Sequence, residues 1–130
     1  MQFMLLIYND PAVLPAIHAG EHAEEMRECL LHADALRREG KLLESRMLAP
    51  SQQARSVRIR DGRLTATDGP FTETKEVLGG FNLIEAESMD EAVRIAAEFP
   101  WARSGCVEVR PVQDLGAVRD LVFTETSERA

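Results

Sequence analysis

Residues 2–8 are apolar at both parities, with Phe3, Leu5 and Ile7 alternating with Met4, Leu6 and Tyr8. Such a segment predicts a strand covered on both faces rather than an edge. Asn9-Asp10-Pro11 ends it, because Asp-Pro favours a turn and proline removes a ladder donor. Residues 12–20, with Pro15 among them, read as a loop over a site or an irregular lead-in. The period then changes. Ala23, Met26, Cys29, Leu30, Ala33 and Leu36 recur at three- and four-residue steps and predict a helix over 21–39. Glu21, Glu24 and Glu25 stand in its first turn and Arg37 and Arg38 in its last, as the helix dipole favours, and Gly40 follows as the terminator.

Residues 41–49 return as a strand closed by Pro50. Residues 55–60 and 63–67 form a hairpin about Asp61-Gly62, a pair suited to the positive φ angles of a I′ turn. Residues 79–86 give another strand, with Phe81 and Leu83 on one side and Ile84 and Ala86 on the other. Ser88 and Glu91 make a capping box, and the helix behind it buries Met89, Ala92, Val93 and Ala96 before Pro100 stops it. Residues 106–112 supply the last core strand, Val107 and Val109 inward; 115–123 are an apolar addition and 124–130 a frayed tail.

This order predicts an α+β, ferredoxin-like βαββαβ domain over residues 1–112 with a β-hairpin insert, followed by an extension over 113–130. Two helices cover only one face of such a sheet, yet the first strand is apolar on both. Sheet-to-sheet pairing into a homodimeric α+β barrel is the simplest remedy, with 115–123 clasping the second protomer.

Composition narrows the function classes. In 130 residues, 22 acidic side chains outnumber 15 basic ones, for a net charge of −7. That field disfavours nucleic acid and anionic membrane as partners. The longest apolar run, residues 3–8, is too short to span a bilayer or to form a secretory core. Two distant cysteines, Cys29 and Cys106, without a CxxC argue against a disulfide scaffold or a zinc ribbon, and a cytoplasmic location fits. No phosphate cradle, Ser-His-Asp order, Rossmann fingerprint or flavin motif is present, so no cofactor is expected.

The most distinctive segment is Asp68-Gly69-Pro70-Phe71-Thr72-Glu73-Thr74-Lys75-Glu76. With Leu78-Gly79-Gly80-Phe81, Val107-Glu108-Val109-Arg110-Pro111-Val112, the opening Met4-Leu5-Leu6-Ile7-Tyr8 and the helix end over 35–40, it resembles the DGPF-type branch of the YCII-related family over roughly residues 1 to 112. The resemblance implies a dimeric ferredoxin-like α+β barrel and a small-molecule pocket, since one related class processes small ring compounds. Most members are uncharacterised, and some are encoded beside extracytoplasmic-function sigma factors. Counting back from Gly40, the register where such relatives carry a helix histidine falls on Cys29, with His32 one turn later. The acid/base role suggested for that histidine is therefore moved to His32 or absent.

Each candidate side chain has a structural reading beside a functional one. Asp68 suits a turn with Gly69 and Pro70, Phe71 anchoring the loop, or a base at a pocket mouth. Glu73 and Lys75 suit a solvated loop, or an anion clamp beside the close-approaching Gly79-Gly80. Glu108 and Arg110 share one face of the last strand, where they bridge a dimer or Arg110 grips a carboxylate. Tyr8 sits at a strand end, either as a core ring with a wet hydroxyl or as a donor to an oxyanion. Cys29 reads as a small buried hydrophobe, or as a reactive thiolate if His32 assists it. His18 and His22 are exposed and unliganded, or a weak metal pair.

The sequence therefore predicts a homodimer that binds a small organic molecule, an anion among the candidates. Any catalysis in it is cofactor-free proton transfer, with Asp68 or His32 as acid/base, Tyr8 and Arg110 stabilising negative charge, and Lys75, Glu73 and Phe71 contacting substrate. The competing class is a non-catalytic module partnering a sigma factor, for which the acidic surface suits a basic protein.

Overall fold

The computed structural model describes residues 1–18, 20, 23–69 and 75–129, with side chains for all of these except 14, 15, 18 and 125–129. The elements run β1 (Gln2–Asn9), α1 (Val13–His18), α2 (Ala23–Arg38), β2 (Leu42–Met47), a 3-10 turn (Ser51–Gln53), β3 (Arg55–Arg60), β4 (Arg63–Asp68), β5 (Val77–Glu85), α3 (Met89–Ala97), α4 (Trp101–Ser104), β6 (Cys106–Pro111) and α5 (Leu115–Arg129). Four strands form an antiparallel sheet in the order β2–β5–β1–β6, and β3 with β4 forms a separate ribbon. This is the ferredoxin-like α+β plan with its hairpin insert.

Strand parity sorts the sheet. Phe3 and Leu5 are fully buried under the helices and Ile7 nearly so, packed with Cys29, Ala33 and Leu36 of α2 and with Ala92, Ile95 and Ala96 of α3. Met4, Leu6 and Tyr8 point to the other face and stay half-buried beside Phe81 and Leu83 of β5. Helix α2 ends as its glycine requires: Gly40 takes φ +76°, its N–H donates to the Arg37 carbonyl at 3.1 Å, and Lys41 N–H donates to that of Leu36 at 2.9 Å. At the hairpin, Asp61 and Gly62 both take positive φ, 53° and 74°, the signature of the expected I′ turn. Ser88 Oγ accepts the Glu91 N–H at 3.1 Å and starts α3.

Several expectations need correction. The lead-in after β1 contains α1, because Asp10 Oδ1 accepts the Ala12 N–H at 2.9 Å and organises a turn. Pro15 then falls in the first turn, where a missing N–H breaks no helical bond. In α3, Ile95 is buried while Met89 and Val93 are exposed, since Val93 lies a 100° step from the Ala92–Ala96 face. Leu30 is likewise exposed on the flank of α2.

The segment after β6 is helical. Asp114 Oδ1 accepts the N–H groups of Gly116 at 2.8 Å and Ala117 at 3.4 Å, capping α5, whose Leu115, Leu121 and Phe123 stand exposed. The β3–β4 ribbon also bares an apolar side, Val57 and Ile59 opposite Ala66 and Leu64. Among the described residues, no helix is long and apolar enough to cross a membrane.

Candidate functional site

Small residues on facing elements leave a hollow between the sheet and α2. On the sheet side lie Gly80 of β5 and Ser45 of β2; on the helix side lie Cys29 and Ala33. None fills the gap, and a cavity of about 260 Å³ results. Gly80 is required there, because a Cβ would come within 2.7 Å of the Arg46 carbonyl oxygen and push β2 away. Val13 and Ile17 of α1, Phe99 and Trp101 complete an apolar wall, and residues 48–51 with Asp10 and Pro11 form the rim. An engineered cavity of about 150 Å³ accepts benzene, so this one has room for a substituted single ring.

Polar groups are few in the cavity. Asn82, only 4% exposed, is the buried polar residue of the core among the described residues, and it lies beside its cross-strand neighbour Ser45. Asp10 is the one carboxylate on the lining among them. Arg46 reaches the rim, but its guanidinium is paired with Glu44 and donates to the Ser45 carbonyl at 2.7 Å. The Cys29 thiol is 6% exposed, and burial pushes its pKa from 9.0 up to about 12. Hydrogen bonds from Trp101 oppose that rise without cancelling it, and Glu25 and Glu28 add to it. The thiol is therefore neutral throughout the physiological range.

The residues predicted from sequence do not converge on this cavity. His32 sits in the α2–α3 seam, its Nε2 3.3 Å from the Ile95 carbonyl oxygen and 3.4 Å from the Glu98 carboxylate, its ring edge-on to Phe99 at 4.4 Å. Asp68 closes the ribbon, its side chain 89% exposed and paired with Arg55 at 3.6 Å. Tyr8 and Lys75 do come together, with Glu108, around a shallow depression at the end of β1. Arg110 lies opposite Met4 on the sheet face away from the helices. Phe71 and Glu73 fall outside the described residues, as do His22 and the His18 side chain. Among the described residues, no group of three or more His, Cys, Asp or Glu is placed to hold a metal.

Sequence reasoning missed Asn82, Ser45 and Asp10. Asn82 did carry a signal, since it is a polar residue at the parity of Ile84 in an apolar strand. Asp10 was legible only as a strand terminator.

Residues 1–116 match the YCII-related domain. The chain belongs to the YCII-related family. An uncharacterized protein of Rhizobium meliloti (strain 1021) is 37% identical over 114 residues, covering 86% of this chain and 92% of that one. Among solved structures, 5-chloro-2-hydroxyhydroquinone dehydrochlorinase from Burkholderia phenoliruptrix AC1100, in complex with 2,5-dihydroxybenzoquinone, is similar in fold. Its TM-score is 0.52 at 17% identity, with 87% of this chain and 94% of that chain covered. Within this YCII-related chain the DGPF-type segment begins at Asp68, the last residue of β4, and Cys29, at the helix register discussed above, lines the cavity.

Proposed function

We propose that this YCII-related protein binds a small organic compound of single-ring size in the cavity beneath α2. The cavity itself carries the reading: about 260 Å³, walled by apolar side chains, with a few neutral polar groups on the sheet side. The dehydrochlorinase of similar fold, described in complex with a single-ring quinone, supports a ligand of that size. Proton transfer is the catalytic extension of the reading. Cys29, held protonated, supplies no base at its register, so the carboxylate on hand is that of Asp10 at the rim.

The protein acts as a homodimer in this reading. Met4, Leu6, Phe81 and Leu83 make a half-buried apolar patch on the sheet face away from α2 and α3. A second copy placed face to face would bury both patches, with the exposed apolar residues of α5 gripping the partner.

Ligand-observed NMR with resorcinol, m-xylene and cyclohexanone at millimolar concentration tests the cavity. At least one binds the wild-type protein. Ala33→Phe, which fills the void from α2, abolishes that binding while stability changes by about 2 kcal/mol or less. Binding that survives Ala33→Phe, or no binding by any of the three, refutes the reading.

A further inference from the structure

Asn82 is 96% buried by its 4% exposure, and among the described residues no group hydrogen-bonds its side-chain amide. Native cores rarely keep a polar amide without a protein partner, and the amide atoms of Asn82 are not sealed from accessible space as an orphaned interior group would be. Its position explains why it persists. Asn82 lines the cavity on the helix-facing side of β5, at the same parity as Gly80, whose lack of a side chain leaves that part of the wall open. Ser45, paired with it across the β2–β5 ladder, lines the same space and also makes no side-chain hydrogen bond among the described residues. The two bring an acceptor, an N–H donor pair and a hydroxyl to one end of an apolar hollow.

We propose that Asn82, with Ser45, is the recognition element of the cavity, selecting a neutral compound whose hydroxyl or carbonyl oxygen exchanges hydrogen bonds with the amide. In solution a cavity water takes those bonds, and only a ligand that reproduces them displaces it without loss. An apolar ring of equal shape leaves the amide unpaired. A carboxylate does worse: Arg46 is already committed to Glu44, and Asp10 at the rim carries the same sign as the ligand. The anionic ligand that the sequence leaves open is thereby disfavoured. This inference rests on the cavity being the binding site, and the test separates the two.

Three matched probes decide it: resorcinol, m-xylene with methyls in place of the hydroxyls, and 3,5-dihydroxybenzoate, which adds a carboxylate. Dissociation constants are measured by NMR titration on wild-type protein and on Asn82→Leu, which keeps the shape and removes the amide. Wild-type protein prefers resorcinol to m-xylene by about tenfold or more and binds 3,5-dihydroxybenzoate about tenfold more weakly than resorcinol. Asn82→Leu loses about tenfold for resorcinol and holds or gains affinity for m-xylene. If that variant does not fold, Asn82→Ala carries the same expected loss.

If m-xylene binds as well as resorcinol and the substitution changes nothing, the cavity reading stands and the role of Asn82 falls. Equal affinity for 3,5-dihydroxybenzoate overturns the neutral class. If no probe binds, the cavity reading and this inference fall together.

Discussion

Cys29 offers the sharpest quantitative test of the site's electrostatics. Its pKa is raised from 9.0 to about 12, chiefly by burial against the cavity wall. At pH 8 a thiol at 12 is ionised to about one part in 10⁴, whereas an ordinary thiol near 8.5 is about one quarter ionised. Alkylation goes through the thiolate, so iodoacetamide should modify Cys29 about 10³-fold more slowly than an unhindered cysteine. Cys106, exposed and not in a disulfide, is the internal reference. Peptide mass spectrometry at timed intervals reads both rates in one sample.

A stability slope accompanies the rate. The folded chain holds the Cys29 proton more tightly than the unfolded chain, so this contribution is fully present below pH 9, and it is lost as pH climbs from 9 towards 12. At pH 10 the loss is about 1 kcal/mol after allowing for screening, and Cys29→Ala removes it. Urea unfolding of wild type and variant at pH 8 and pH 10 should therefore show their difference change by that amount, with the wild type weakened more. Modification of Cys29 within tenfold of the Cys106 rate in folded protein would refute the reasoning and place a thiolate on the cavity wall.

Leu6→Glu puts a charge in the middle of the sheet face away from α2 and α3, beside Phe81 and Glu108. The folded protomer tolerates it, but sedimentation equilibrium should shift from dimer to monomer; a wild type that is already monomeric refutes the pairing. Asp68→Asn breaks only an exposed ion pair with Arg55, so stability should change by no more than about 0.5 kcal/mol and probe binding should persist. Loss of binding by that variant would relocate the site to the open end of the ribbon.

The fold was legible because its signals are local. Double-sided apolarity marks β1 as central, Asp61-Gly62 dictates its turn, and Ser88 with Glu91 starts α3 in residues adjacent along the chain. The site was less legible because it is made of what is missing. Gly80, Ala33, Cys29 and Ser45 come from three elements, and nothing in any one of them states that their small side chains face one another. The expected convergence of Asp68, His32, Tyr8 and Arg110 failed for reasons of direction. Tyr8 and Arg110 share the parity that points away from the helices, and His32 is turned towards Ile95 and Phe99. Asn82 was readable by parity alone, though only the cavity gives it a purpose.

Among the described residues the β3–β4 ribbon pairs with no other strand, and a pair of strands alone is marginally stable in water. It can open without breaking any ladder bond of the four-stranded sheet. Backbone amides of residues 55–68 should then exchange with deuterium well before those of β1, whose bonds are protected on both sides. The molecule thus carries two layers of persistence: a slow platform that holds the hollow, and a fast arm that leads into the DGPF segment.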